Sequence, residues 1–152
     1  MTTTSRTALI TGASRGLGLA LARQLAHDHW NLIVDARGTE ALDAATRDLA
    51  QQTRVVALPG DVTNPAHRAA LVAAARDLGG VDVLINNASF LGPSPQPNLL
   101  DYPLDVLEQV YRTNVIAPLA LIQQIRPLLT PGAVIINVTS DAGFEAYPGW
   151  GG

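Results

Sequence analysis

Thr11-Gly12-Ala13-Ser14-Arg15-Gly16-Leu17-Gly18 lies between a β-rich run, Thr7 to Thr11, and a stretch from Gly16 to His27 whose Leu17, Leu21 and Leu25 recur at helical spacing. Glycines between a strand and a helix permit a tight turn and let the backbone come close to a ligand. The helix start behind them offers unpaired N–H groups and the positive end of a dipole, which together suit a pyrophosphate. A glycine-rich turn by itself is often only a turn. The strand before it and the helix after it are what point to a dinucleotide.

Outward from this turn the same alternation repeats. Asn31 to Ala36 reads as a second apolar strand, Thr39 as the cap of a helix through Leu42, Ala45 and Leu49, and Val55 to Leu58 as a third strand. Asn64 stands as an N-cap with Pro65 at the first helical position, and the helix behind it runs to Leu78, where Gly79-Gly80 stops it. Val81 to Ile85 and Ala133 to Val138 read as the fourth and fifth strands. Between them, Leu91 to Pro97 is rich in Pro and Gly and reads as a surface loop, followed by a long helix from Pro103 to Arg126. Continuous apolar strands alternating with helices predict an α/β fold: a doubly wound parallel sheet, covered on both faces, with right-handed crossovers. With no linker or repeat, residues 1–152 read as one domain.

Hydrophobic residues make up 47% and charged residues 15% of the chain, the balance of a globular rather than a disordered sequence. A net charge of -3 offers no electrostatic case for nucleic acid or an anionic membrane. No apolar run approaches the roughly 18 residues of a membrane span. The polar stretch Met1 to Arg6 precedes no signal-like apolar segment, so the expected location is cytoplasmic. Without cysteine there are no disulfides and no thiolate metal sites. His27 and His29 flank Asp28 near a helix end without forming a metal-ligand set, and His67, in a first helical turn, has no evident partner. All ten basic residues are Arg, so these 152 residues supply no lysine ammonium.

Ligand-binding groups of open α/β sheets gather beyond the C-terminal ends of the strands, and four further stretches stand there. Val34-Asp35-Ala36-Arg37 closes the second strand. An acid there hydrogen-bonds a ribose 2′-hydroxyl, whereas an Arg matches a 2′-phosphate in charge and fork geometry. Arg37, with Arg15 approaching the same region, predicts NADP(H) in preference to NAD(H); Asp35 argues the other way. The plain alternative is a surface Arg37 paired with Asp35. Gly60-Asp61-Val62-Thr63 follows the third strand, although Asp61 alone could equally serve a turn. Asn86-Asn87-Ala88-Ser89 follows the fourth, and Ser140 stands three residues before Gly143 at the end of the fifth. In the long helix, Leu104, Leu107, Tyr111, Asn114, Pro118, Leu121 and Ile125 recur at steps of three and four. Asn114 thus falls on the apolar stripe, where an amide should be hydrogen-bonded. Pro118 lacks the N–H that the carbonyl of residue 114 would use. A free acceptor beside a buried amide predicts a water site; the alternative is a core Asn at a kink.

In order and context these stretches resemble the short-chain dehydrogenase/reductase family, from the Gly-x3-Gly-x-Gly turn across nearly all 152 residues. The resemblance implies a Rossmann-type sheet and NAD(P)-dependent hydride transfer between a nicotinamide and a small carbonyl or alcohol substrate. It implies cofactor contacts by Gly12, Ser14, Arg15, Gly16, Leu17, Gly18 and Arg37, and by Asp61 and Val62 at the adenine. Asn87 and Ala88 join them from a turn matching the family's Asn-Asn-Ala-Gly, with Ser89 in place of a glycine that tolerates positive φ. It assigns Ser140 to polarising the substrate oxygen and Asn114 to holding a water of the proton relay. The family's Tyr-x-x-x-Lys element is not matched, because Gly151 stands four residues after Tyr147, and counting from Ser140 its Tyr falls just past Gly152. The expectation is therefore a binding portion that is inactive alone, with the C-terminal strands and helices missing and the fifth strand an uncovered edge. Its partner would be a second copy or a complementing C-terminal segment. A non-catalytic binding module and an inactive gene remnant are the other readings.

Overall fold

In a computed structural model that describes residues 5–145, 147 and 150, five apolar runs pair as one parallel sheet. They are β1 (Thr7–Ile10), β2 (Asn31–Ala36), β3 (Val55–Pro59), β4 (Val81–Asn86) and β5 (Leu129–Asn137), in the order β3-β2-β1-β4-β5. Helices α1 (Gly16–His27), α2 (Thr39–Leu49), α3 (Pro65–Asp77), α4 (Leu104–Tyr111) and α5 (Ala117–Ile125) lie between them. The chain starts in the centre, winds out to β3, then crosses back to β4. That reversal opens a crevice beyond the ends of β1 and β4.

Alternation along the strands builds two cores, because successive side chains point to opposite faces. Ala8, Ile10, Leu32, Val34 and Ile85 meet Ala22, Ala26, Leu42 and Leu49 of α1 and α2. Leu9, Ile33 and Leu84 meet Leu71, Ala75, Leu121 and Ile125 of α3 and α5. The predicted α/β doubly wound sheet is what the chain forms.

Several local expectations are corrected. The buried face of α1 is Gly18, Ala22 and Ala26, not the stripe of Leu17, Leu21 and Leu25; Leu17 is 53% exposed. Small side chains let the helix axis approach the sheet, and the leucines flank the contact. Thr39 is the first residue of α2 rather than its cap; Gly38 holds the cap position, and no side chain caps the helix. Asn64 does cap α3, accepting a hydrogen bond from Ala66 N at 2.9 Å. Strand β5 begins earlier than Ala133, with an irregular register between Val81 and Val83 of its neighbour.

The long helix is not continuous. A π turn over Arg112–Ile116 separates α4 from α5. Ala117 N–H donates to the Arg112 carbonyl, a wider closure than the α-helical one. Pro118 has no N–H for the usual ladder, so the bonding register shifts just before it. The turn also rotates the face: Val110, Ala117, Leu121 and Ile125 are buried, whereas Leu104, Tyr111 and Asn114 are exposed. No helix among the described residues is long and apolar enough to cross a membrane.

Candidate functional site

The glycine turn needs glycine for two different reasons. Gly12 and Gly16 have φ of +68° and +57°, a region that costs other residues steric strain. Gly18 is needed for proximity: a Cβ there would overlap the Gly12 carbonyl oxygen and lie 2.5 Å from Asn87 Nδ2. Above Gly16 the space is open, with no heavy atom within 4 Å of an added Cβ. Arg15 precedes α1 in extended conformation, and no side chain caps the helix. The first amides of α1 thus start beside an open cradle, an arrangement suited to an anion.

Thr11 and Asn87 tie this turn to the end of β4. Asn87 Nδ2 donates to the carbonyls of Thr11 and Gly12, each at 3.0 Å. Thr11 Oγ1 accepts from Asn87 N and Ala88 N, also at 3.0 Å. Ser89 does not adopt the positive φ that would call for a glycine, since His29 is the one described non-glycine residue that does. Further along the crevice, Asn86 Nδ2 donates to Asn137 Oδ1 at 2.8 Å and joins β4 to β5.

A cleft of about 490 Å³ opens over these turns. Gly12, Ser14, Arg15, Gly16, Arg37, Asp61, Val62, Asn87 and Ala88 line it, so most of the residues expected at a cofactor come together. Leu17 and Gly18 do not line it; Leu17 faces outward and Gly18 packs beneath the turn. Asp35, Gly38, Gly60, Ser89 and Thr113 are also in its wall.

At the end of β2, Asp35 takes neither of the roles expected for it. This acid is 1% exposed and pairs neither with Arg37 nor with solvent. Its Oδ1 accepts the Gly12 N–H at 2.8 Å, and its Oδ2 lies 2.9 Å from His67 Nε2. His67, expected from sequence to be unpartnered, is therefore the largely covered partner of a cleft residue. Gly60 makes room for its ring, since a Cβ there would lie 2.6 Å from His67 Cε1. Arg37 is exposed and forms no salt bridge among the described residues.

Asp61 accepts from Thr63 N and Thr63 Oγ1, both at 2.8 Å. Partial burial opposes its charge, but the two Thr63 donors, with Arg37 and His67 near by, outweigh that and hold its carboxyl below the ordinary value. Arg68, buried in α3, donates from Nη1 to the Val62 carbonyl at 2.7 Å and fixes the same turn. Nothing local in the sequence pairs Arg68 with Val62, nor His67 with Asp35.

Beyond the cleft the two expected catalytic residues are exposed. Asn114 is hydrogen-bonded, as an amide on that helix should be, but to the Phe90 backbone: Oδ1 accepts from Phe90 N at 2.8 Å and Nδ2 donates to Phe90 O at 2.9 Å. The buried setting expected for it is not found. Ser140 follows β5, and its hydroxyl donates to Asp141 Oδ1 at 3.1 Å. Tyr147 donates to Glu145 Oε2 at 2.9 Å and Asp141 Oδ2 at 3.1 Å. Those carboxylates, Glu145 foremost, push the phenol above its ordinary value, the wrong direction for a base at neutral pH. Gly151, four residues on, lies outside the described residues.

Known proteins share this fold. The ketoacyl reductase HetN of Nostoc sp. is 34% identical over 146 residues, which cover 93% of this chain and 50% of that protein. A blue fluorescent protein from a metagenomic library, solved in complex with NADPH, superposes with a TM-score of 0.85 at 32% identity, over 95% of this chain and 60% of that one. NAD+-bound xylitol dehydrogenase superposes with a TM-score of 0.86 at 26% identity, over 95% of this chain and 56% of that one. The chain spans about half the length of the curated relatives it matches. The family model described as short chain dehydrogenase matches residues 6–152, and the chain belongs to that family.

Proposed function

We propose that this chain is the cofactor-binding portion of an NAD(P)-dependent oxidoreductase that acts on a small carbonyl or alcohol, with NADP(H) preferred over NAD(H). One observation carries the preference: Asp35, the acid that would argue for NAD(H), is committed to Gly12 and His67, which leaves Arg37 and Arg15, without a salt bridge among the described residues, as the cations of that cleft. The residues present fit a dinucleotide. Gly12, Ser14, Arg15 and Gly16 form the open cradle, while Leu17 and Gly18, outside its lining, would contribute backbone from the first turn of α1. Arg37 and Arg15 meet the 2′-phosphate, Asp61 and Val62 the adenine, and Asn87 and Ala88 the cofactor from the β4 turn. When bound, a nicotinamide dinucleotide supplies or accepts the hydride.

The chain's own residues then bind and orient. Ser140 offers a hydroxyl to the substrate oxygen at the end of β5. Asn114 holds the Phe90 backbone, and so shapes the segment that follows Ser89 in the cleft wall. The carboxylates of Glu145 and Asp141 raise the Tyr147 phenol rather than lower it, and none of the ten basic residues is a lysine that could lower it, which supports assigning proton transfer elsewhere. We infer that these 152 residues alone do not turn over substrate. The setting of Tyr147 also favours a second reading, a dinucleotide-binding module without catalysis. Steady-state turnover by the full-length protein separates the two.

Calorimetry with NADPH and NADH tests the preference. One charge-assisted contact contributes roughly 1.5–3 kcal/mol, so Arg37→Ala should reduce the NADPH-to-NADH affinity ratio about tenfold or more. An unchanged ratio refutes the assignment. We place the protein in the cytoplasm, and the exposed Leu104, Tyr111, Val115, Ile116 and Leu119 around the π turn support pairing with a second copy.

A further inference from the structure

A buried chain of contacts runs from α3 to the glycine turn. His67 reaches from the first turn of α3, with 8% of its side chain exposed, to Asp35 at the end of β2. Asp35 Oδ2 receives the imidazole at 2.9 Å, while Oδ1 receives the Gly12 N–H at 2.8 Å. The main chain of the same residue takes part, since its carbonyl accepts Ala13 N–H at 2.8 Å. Gly60 supplies the space for the ring, and its own N–H is bonded to the Ala36 carbonyl at 2.9 Å. Asp35 and Gly60 both wall the cleft that holds Arg37, whereas His67 stands behind them.

A buried carboxylate keeps its place only when its oxygens have donors. Here the two oxygens have one donor each, on opposite sides, so the carboxylate is held toward the glycine turn. Without the imidazole, Oδ2 would be left with no donor. The nearest relief is rotation into the cleft, toward solvent or toward ribose hydroxyls. An acid so placed favours an unphosphorylated ribose and repels a 2′-phosphate.

We propose that His67 is a positioning residue that sets cofactor specificity: it holds Asp35 against Gly12, keeps that charge off the ribose, and leaves Arg37 to read the 2′-phosphate. This rests on the reading of Arg37 given above. The role needs only a donor at Nε2, so an amide of similar reach can replace it.

The test titrates NADPH and NADH separately into the full-length protein and its variants. His67→Leu should lower the NADPH-to-NADH affinity ratio by about tenfold, the scale of one charge-assisted contact. His67→Gln, which can donate to the same oxygen, should retain most of the ratio. Asp35→Asn combined with His67→Leu should restore the preference for NADPH, because no charge remains to intrude. If His67→Leu weakens both cofactors by the same factor, His67 is merely structural and the proposal fails. If His67→Leu does not fold, the other two variants decide: a ratio lost in His67→Gln together with no preference in the double variant also overturns it. Arg37→Ala keeps the two readings apart. An unchanged ratio there refutes the phosphate contact, whereas a lost ratio there with an unchanged ratio in His67→Leu refutes only the role of His67.

Discussion

Replacing Gly18 with Ala should destabilise this protein, although the same change in most helices stabilises. An exposed helical Gly→Ala gains about 1 kcal/mol in propensity. At Gly18 the added methyl would overlap the Gly12 carbonyl and stand 2.5 Å from Asn87 Nδ2. Overpacking of this kind costs about 1–3 kcal/mol. Displacing Asn87 also loosens its bonds to the Thr11 and Gly12 carbonyls, worth about 0.5–1.5 kcal/mol each. The balance is a net loss of about 3 kcal/mol, or roughly 6–12 °C in Tm for a domain of this size. Gly16→Ala is the control: nothing lies within 4 Å of its added Cβ, so its cost is the left-handed backbone alone, about 1–2 kcal/mol. Thermal unfolding followed by circular dichroism reads both. A Tm for Gly18→Ala equal to or above the parent's would show that α1 does not approach the β4 turn as described.

Asn87→Ala should cost about 1–3 kcal/mol by removing two carbonyl partners, measured by urea unfolding with an unchanged m-value. Asp61 contributes stability in its charged form above about pH 4, and that contribution is lost as pH falls through its depressed folded value. An acid titration of Asp61→Asn should therefore show a smaller loss of stability below about pH 4 than the parent does. Asn114→Ala should free the Phe90 backbone and raise amide exchange at Phe90, which mass-resolved hydrogen exchange detects. Ile116→Asp, on the exposed side of the π turn, should shift the protein toward monomer in light scattering if two copies pair there.

Much of this was legible in the sequence, and the failures share a cause. Strands β1 to β4 were readable because buried parallel strands are continuous apolar runs bounded by turn residues. The glycine turn was readable because its chemistry is local. The contact face of α1 was misread because leucine is the more hydrophobic residue, whereas close approach selects Gly18, Ala22 and Ala26. Pro118 signalled a broken hydrogen-bond ladder but not that a π turn would rotate Asn114 outward. Asp35 and His67 are 32 positions apart on different elements. No period or spacing joins them, so nothing in the sequence puts Asp35 beside Gly12 and His67 rather than beside Arg37.

The two halves of the chain differ in how their surfaces are closed. Leu17 apart, every large apolar side chain exposed among the described residues lies at Leu91 or later, in the loop, around α4 and α5, on β5 and beyond it. The earlier half ties its own loops together, through Thr11 to Ala88, Asp35 to Gly12, Asp61 to Thr63 and Arg68 to Val62. These bonds leave few backbone or carboxylate groups free to rearrange, so the cradle is preorganised before any ligand arrives, which lowers the entropy a ligand must surrender. On the later side, β5 pairs only with β4 among the described residues and exposes Val134 and Ile136. An apolar strand edge of that kind favours pairing with further chain. Ser140 leaves the sheet from this strand. Its hydroxyl is held only by its neighbours Asp141 and Ala142, whereas the cleft at Gly12 and Arg37 is held by contacts between distant parts of residues 7 to 88.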